Sequence, residues 1–114
     1  MDARASINLR LMTRSLFAAL ASDQAELSLL ILKSKLWSVV TKIITDRELT
    51  QKQAAELLKV SQPRISNMMK GQLERFSMDF FIEALARLGY KLDLDFTPHN
   101  EEQPLSIYVK KATL

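Results

Sequence analysis

The stretch Leu49-Thr-Gln-Lys-Gln-Ala-Ala-Glu-Leu-Leu-Lys-Val-Ser-Gln-Pro-Arg-Ile-Ser-Asn-Met-Met-Lys-Gly71 decides the fold. It holds two helix-start signals. Thr50 with Gln53 three residues later makes a capping box, in which the Thr hydroxyl accepts the N3 amide and the Gln side chain returns to the Thr amide. Ser61 is a second N-cap, Pro63 is harmless in a first turn, and Gly71 closes the helix after Lys70. Ala54, Ala55, Leu57 and Leu58 are assigned to the inner side of the first helix. Only Lys59 and Val60 separate the two helices, too few residues for antiparallel packing, so the helices must cross steeply. Small Ala55 permits their close approach. Advancing about 100° per residue from Gln62 puts Ile65, Met68 and Met69 on one face and Pro63, Ser66, Asn67 and Lys70 on the other.

Outward from this pair the helical pattern continues. Leu9, Met12, Leu16 and Leu20 recur at spacings of three and four, so an amphipathic helix is expected within residues 7–20. Asp23 with Glu26 at N3 starts another, running through Lys35 to about Arg47 with Leu36, Val40, Ile43 and Ile44 as its buried stripe. Ser77 caps a helix whose Phe80, Phe81, Ala84, Leu85 and Leu88 face inward before Gly89 stops it. The period then becomes two. Tyr90, Leu92, Leu94 and Phe96 alternate with polar residues, as do Leu105, Ile107 and Val109, so two strands are expected around a polar loop, Thr97 to Pro104.

Composition bounds the rest. A chain of 114 residues, 47% hydrophobic and 25% charged, suits one ordinary globular domain. With no cysteine and one histidine there is no disulfide and no thiolate chemistry, no metal site or cofactor is expected, and a cytoplasmic setting fits. The longest apolar run, Leu29 to Leu32, is far too short to cross a membrane. Ala19-Leu20-Ala21 resembles a signal cleavage site, yet the apolar stretch after Arg14 is too short for a signal core, so no leader is expected. Nothing resembles a nucleophile with its base, a phosphate-binding glycine loop or a metal cluster, so the chain is not read as an enzyme. Trp37 reads as a packing residue whose N–H finds a partner, Met68 and Met69 as core, and His99 as a solvent-facing loop residue. Asp93 and Asp95 occupy the polar side of a strand rather than forming an acid/base pair.

The outer face of the 62–70 helix is hydrogen-bonding, basic or small throughout. Such a face suits the major groove, where an amide side chain pairs bidentately with adenine and an apolar group touches a thymine methyl. Gln62, Pro63 and Asn67 lead as base-contacting candidates, followed by Ser66 and Arg64. Charge distribution agrees: Lys33 to Arg75 carries nine basic and four acidic residues, net +5, whereas Phe76 to Glu102 carries two and six, net −4. A basic segment is suited to phosphate and an acidic one is repelled by it.

Gln51, Ala55, Val60, Gln62 and Ile65 resemble the pattern of the Cro/repressor-like (Xre) helix-turn-helix family. The runs Ser61-Gln-Pro-Arg-Ile-Ser66, Gly71-Gln-Leu-Glu-Arg-Phe-Ser77 and Leu88-Gly-Tyr-Lys-Leu-Asp93 are similar to a subgroup that includes HigA-type antitoxins. The resemblance covers about Lys33 to Phe96. It implies a mainly α, lambda-repressor-like fold with an N-terminal helix and a short C-terminal two-stranded β element. The expected organisation is an N-terminal helical extension (1–32), the helix-turn-helix domain (33–89) and C-terminal strands (90–114), which as an isolated hairpin need either a helix to cover them or a second chain and so are a candidate dimerisation element. It further implies a sequence-specific transcriptional regulator, a repressor that binds an inverted-repeat operator in double-stranded DNA as a homodimer. By matching position, Thr50, Gln51, Lys70, Gln72 and Arg75 would contact phosphate, where helix N-termini and basic side chains act. The alternative implied role is an antitoxin that neutralises a RelE/HigB-like ribonuclease toxin as its protein partner and autoregulates its operon. One position departs from the family pattern: Lys59 stands where the family has Gly, and a left-handed backbone there would strain it by about 1 kcal/mol.

Overall fold

A computed structural model of the chain describes residues 24–112. The helix expected within 7–20 lies outside them. The described residues form helices α1 (Gln24–Asp46), α2 (Gln51–Leu58), α3 (Gln62–Met69) and α4 (Met78–Arg87), a 3-10 turn at Leu73–Arg75, and strands β1 (Tyr90–Phe96) and β2 (Leu105–Lys111). The chain is therefore mainly α, ending in a two-stranded antiparallel sheet.

α1 is long because no glycine or proline interrupts it, and it runs unbroken past residues 32–33. Leu36, Val40 and Ile44 recur every four residues and are all buried, giving one stripe against α4 and the helix pair α2–α3. The centre of the core is Val40, Ile65, Met68, Phe81 and Leu85, each almost fully removed from water. Each such side chain contributes about 1.5–3 kcal/mol relative to exposure. Polar groups of α1 and of Arg47, the residue that follows it, also reach carbonyls of three other segments. Lys33 Nζ donates to Phe76 O (3.0 Å), Trp37 Nε1 to Met68 O (2.7 Å) and Arg47 Nη2 to Leu88 O (2.8 Å). Arg47 thereby places a cation at the C-terminal end of α4, where the helix dipole favours it.

Three helices end alike. After α1, Glu48 takes a positive φ of 55° while Glu48 N donates to Thr45 O and Leu49 N to Ile44 O. After α2, Lys59 (φ 58°) donates to Glu56 O, and Val60 N to Ala55 O. After α3, Gly71 (φ 82°) donates to Met68 O, and Gln72 N to Asn67 O. Each is a Schellman ending, which needs one left-handed residue. The sequence pattern foresaw the glycine and flagged Lys59, and the strain expected there is realised; Glu48 had no signal.

Some expected burial is not found. Leu57 is 39% exposed, at the edge of the α2 stripe, and Ile43 and Phe80 are only half-buried. Conversely Phe76, outside any helix, is 3% exposed in a cluster with Phe80 and Phe81 at ring separations of 4.8 and 6.0 Å. β1 and β2 pair in full register from Tyr90↔Lys111 to Phe96↔Leu105. On the polar side Lys110 Nζ lies 3.0 Å from Asp93 Oδ2. That ammonium holds the Asp93 carboxyl below its ordinary range, and the carboxylate in turn raises Lys110.

Candidate nucleic-acid interface

The site is built from the ends of two short helices. At the start of α2 the capping box is complete: Gln53 N donates to Thr50 Oγ1 (3.1 Å) and Thr50 N to Gln53 Oε1 (2.9 Å). The first-turn amides lack intrahelical partners by construction, so Gln51 and Lys52 present N–H groups and exposed side chains together. Lys52 adds a basic side chain in that turn, beside the residues that the family resemblance marks.

α3 is fixed by its N-cap. Ser61 Oγ accepts from Arg64 N (3.3 Å), and Ile65 N continues the helix to Ser61 O (3.1 Å). Ile65 and Met68 are fully buried against the core. Their burial turns the opposite side outward: Gln62, Pro63 and Lys70 are exposed, and Ser66 and Asn67 half-buried. An amide at each end of this surface, with a hydroxyl and an apolar ring between, gives donors, acceptors and a methyl-sized contact on one turn-and-a-half of helix. Five of the expected residues thus share one presented face.

Arg64 is placed differently. Its guanidinium lies over the rings of Phe76 (4.5 Å to the centroid) and Phe80 (5.2 Å), and Nη2 donates to Arg75 O (3.5 Å). It ties the first turn of α3 to the segment entering α4, instead of standing free beside Gln62. No periodicity signals this, because the rings lie 12 and 16 residues along the chain.

At the far end, Trp37 Nε1 donates to Met68 O beneath the Schellman turn. A Cβ on Gly71 would meet Trp37 Cζ2 at an ordinary 3.6 Å, so glycine is required there by φ and not by space. Beyond it, Arg75 is exposed and Gln72 half-buried. Gln72 Oε1 is buried without a hydrogen-bond partner. The expected phosphate-contacting residues therefore sit at both helix boundaries, with Thr50 already engaged in its cap.

The family profile of a helix-turn-helix domain matches residues 16–97. None of the curated proteins compared with the chain matches it. Among the described residues no helix is long and apolar enough to cross a membrane.

Proposed function

Because the chain belongs to the helix-turn-helix domain family, we propose that it is a sequence-specific DNA-binding regulator acting in the cytoplasm as a homodimeric repressor. It works by binding and not by catalysis. One observation carries this reading: complete burial of Ile65 and Met68 turns Gln62, Pro63, Ser66, Asn67 and Lys70 outward on a helix capped at both ends. Gln62 and Asn67 read base edges, Pro63 and Ser66 complete the contact, and Gln51, Lys70, Gln72 and Arg75 hold phosphates that fix register.

Selection of bound sites from random duplexes, followed by titration of wild type, Gln62→Ala and Asn67→Ala, tests it. Each variant should lose about 1–3 kcal/mol of discrimination at one base pair per half-site. Equal losses on selected and random DNA would remove the base-reading assignment, and absence of binding to any duplex at low salt would remove the function.

A second reading, an antitoxin with the same DNA contacts serving autoregulation, is supported by the acidic Phe76 to Glu102 segment, which is suited to a basic protein. A short basic toxin frame beside the gene selects this reading.

A further inference from the structure

The hairpin carries an apolar surface that none of the described residues covers. In an antiparallel pair, opposed residues share a face. The register therefore puts Leu92 with Val109, Leu94 with Ile107 and Phe96 with Leu105 on one side, and Asp93 with Tyr108 and Asp95 with Ser106 on the other. At the base, Tyr90 and Leu92 pack on the helical core, Arg47 lies over the Tyr90 ring, and Ala112 N closes onto Gly89 O. From Leu94 outward the apolar side is uncovered: Leu94 is 64% exposed, Phe96 67%, Leu105 51%, Ile107 42% and Val109 36%. These five are cross-strand and next-but-one neighbours, so they form one strip continuous with the core, on the order of 500 Å², where monomers seldom expose contiguous apolar patches beyond a few hundred.

We propose that this strip is a twofold interface, packed against the same strip of a second copy of the chain. Charge favours a copy of itself. The strip bears no ionised side chain between Leu92 and Leu105; Asp93, Asp95 and Lys110 lie on the reverse side and Lys111 only at the base opposite Tyr90, so the apolar part of one strip meets that of another without opposing like charges. A nucleic acid would meet one cation there, Lys111 at the base opposite Tyr90, too few to hold a phosphate backbone. An anionic lipid surface would confront Glu101 and Glu102 in the adjoining loop. Area agrees as well: two strips bury roughly 1,000 Å² together, and their polar margins bring the contact into the range of about 1,200–2,000 Å² typical of stable complexes. A free two-stranded hairpin is marginal alone, and a second copy supplies the missing layer. The interface deepens the reading above, because an inverted repeat with half-sites about 34 Å apart requires a twofold protein; its existence does not depend on DNA.

The test is sedimentation equilibrium of the full chain, wild type beside Phe96→Asp, Leu94→Asp and the reverse-face control Asp95→Ser. Wild type and control should be dimers at micromolar concentration. The two strip variants should dimerise at least about 100-fold more weakly, since the symmetry buries each introduced charge twice. Folding is checked by far-ultraviolet circular dichroism and by the emission of Trp37, the sole tryptophan. The absence of cysteine allows a second measurement that needs no disruptive variant: Ile107→Cys should give a covalent dimer with a short thiol crosslinker, and Ser106→Cys on the reverse face should not. A monomeric wild type, a dimer indifferent to both strip variants, or preferential crosslinking through Ser106→Cys overturns the interface. Loss of the dimer with retained affinity for a single half-site supports both interface and DNA reading. A dimer that obeys the strip variants but binds no DNA leaves the interface standing and removes the operator.

Discussion

Lys59→Gly should stabilise the protein, and so should Glu48→Gly. Both residues hold left-handed backbone, φ 58° and 55°, at the Schellman endings of α2 and α1. An L side chain there costs about 1–2 kcal/mol. Replacing it with glycine removes that strain but adds unfolded-state entropy worth about 0.5–1 kcal/mol. The net gain is about 0.5–1 kcal/mol per site, and both side chains are exposed, so little packing is lost. For a domain of this size the gain raises Tm by about 2–8 °C. Urea denaturation of the single and double variants measures it, with an unchanged m-value showing that the stability itself moved. Lys59→Ala is the control: alanine keeps the Cβ and its strain, so it should sit near wild type. A Lys59→Gly protein no more stable than wild type, with Lys59→Ala equally neutral, would refute the reasoning, because the α2 turn would then not be held left-handed against its preference.

Two further substitutions separate roles inside the DNA-facing segment. Arg64→Met keeps an apolar contact with Phe76 and Phe80 but deletes the cation; stability should fall by about 1 kcal/mol and affinity should drop alike on all duplexes. Thermal melts with site selection check this, and a preference changed at one base pair would put Arg64 in the groove instead of on the rings. Arg75→Ala should weaken specific and random duplexes equally and lower the slope of log K against log salt by about one, whereas an unchanged slope would take Arg75 off the phosphate.

The caps were legible in the sequence because they are local. Thr50 with Gln53 and Ser61 with Arg64 act across three residues, and the structure contains those hydrogen bonds. The strands were legible for the same reason, since alternation from Tyr90 to Phe96 needs no knowledge of the partner. Interactions across distance were not. Lys33 meets Phe76 O 43 residues away and Trp37 meets Met68 O 31 residues away, and neither leaves a periodic trace. Phe76 is a single apolar residue between Arg75 and Ser77, so nothing nearby announced its burial. Alternation identified the apolar side of the hairpin but carried no information on whether anything covers it. The same limit applied to the candidate site: angular position separated outer residues from inner ones, yet an arginine long enough to reach either Gln62's surroundings or two phenylalanine rings has its direction set by the rings.

α3 is only eight residues long, and a helix that short is unstable by itself. Its orientation must therefore come from its ends and its buried side. At the start, Ser61 caps it and Arg64 clamps its first turn to the Phe76–Phe80 pair. At the finish, the Gly71 turn returns two amides to Met68 and Asn67 carbonyls, and the α1 indole takes Met68 O from beneath. Ile65 and Met68 fasten the middle. What remains unfastened is the outer surface from Gln62 to Lys70. A helix positioned by everything except the residues on that surface keeps its angle when those residues are exchanged, which lets base preference vary without repacking the domain. On the proposed DNA-reading function, that separation accounts for an arginine in the first turn serving the scaffold while the amides to either side of it, Gln62 and Asn67, stay available to a groove.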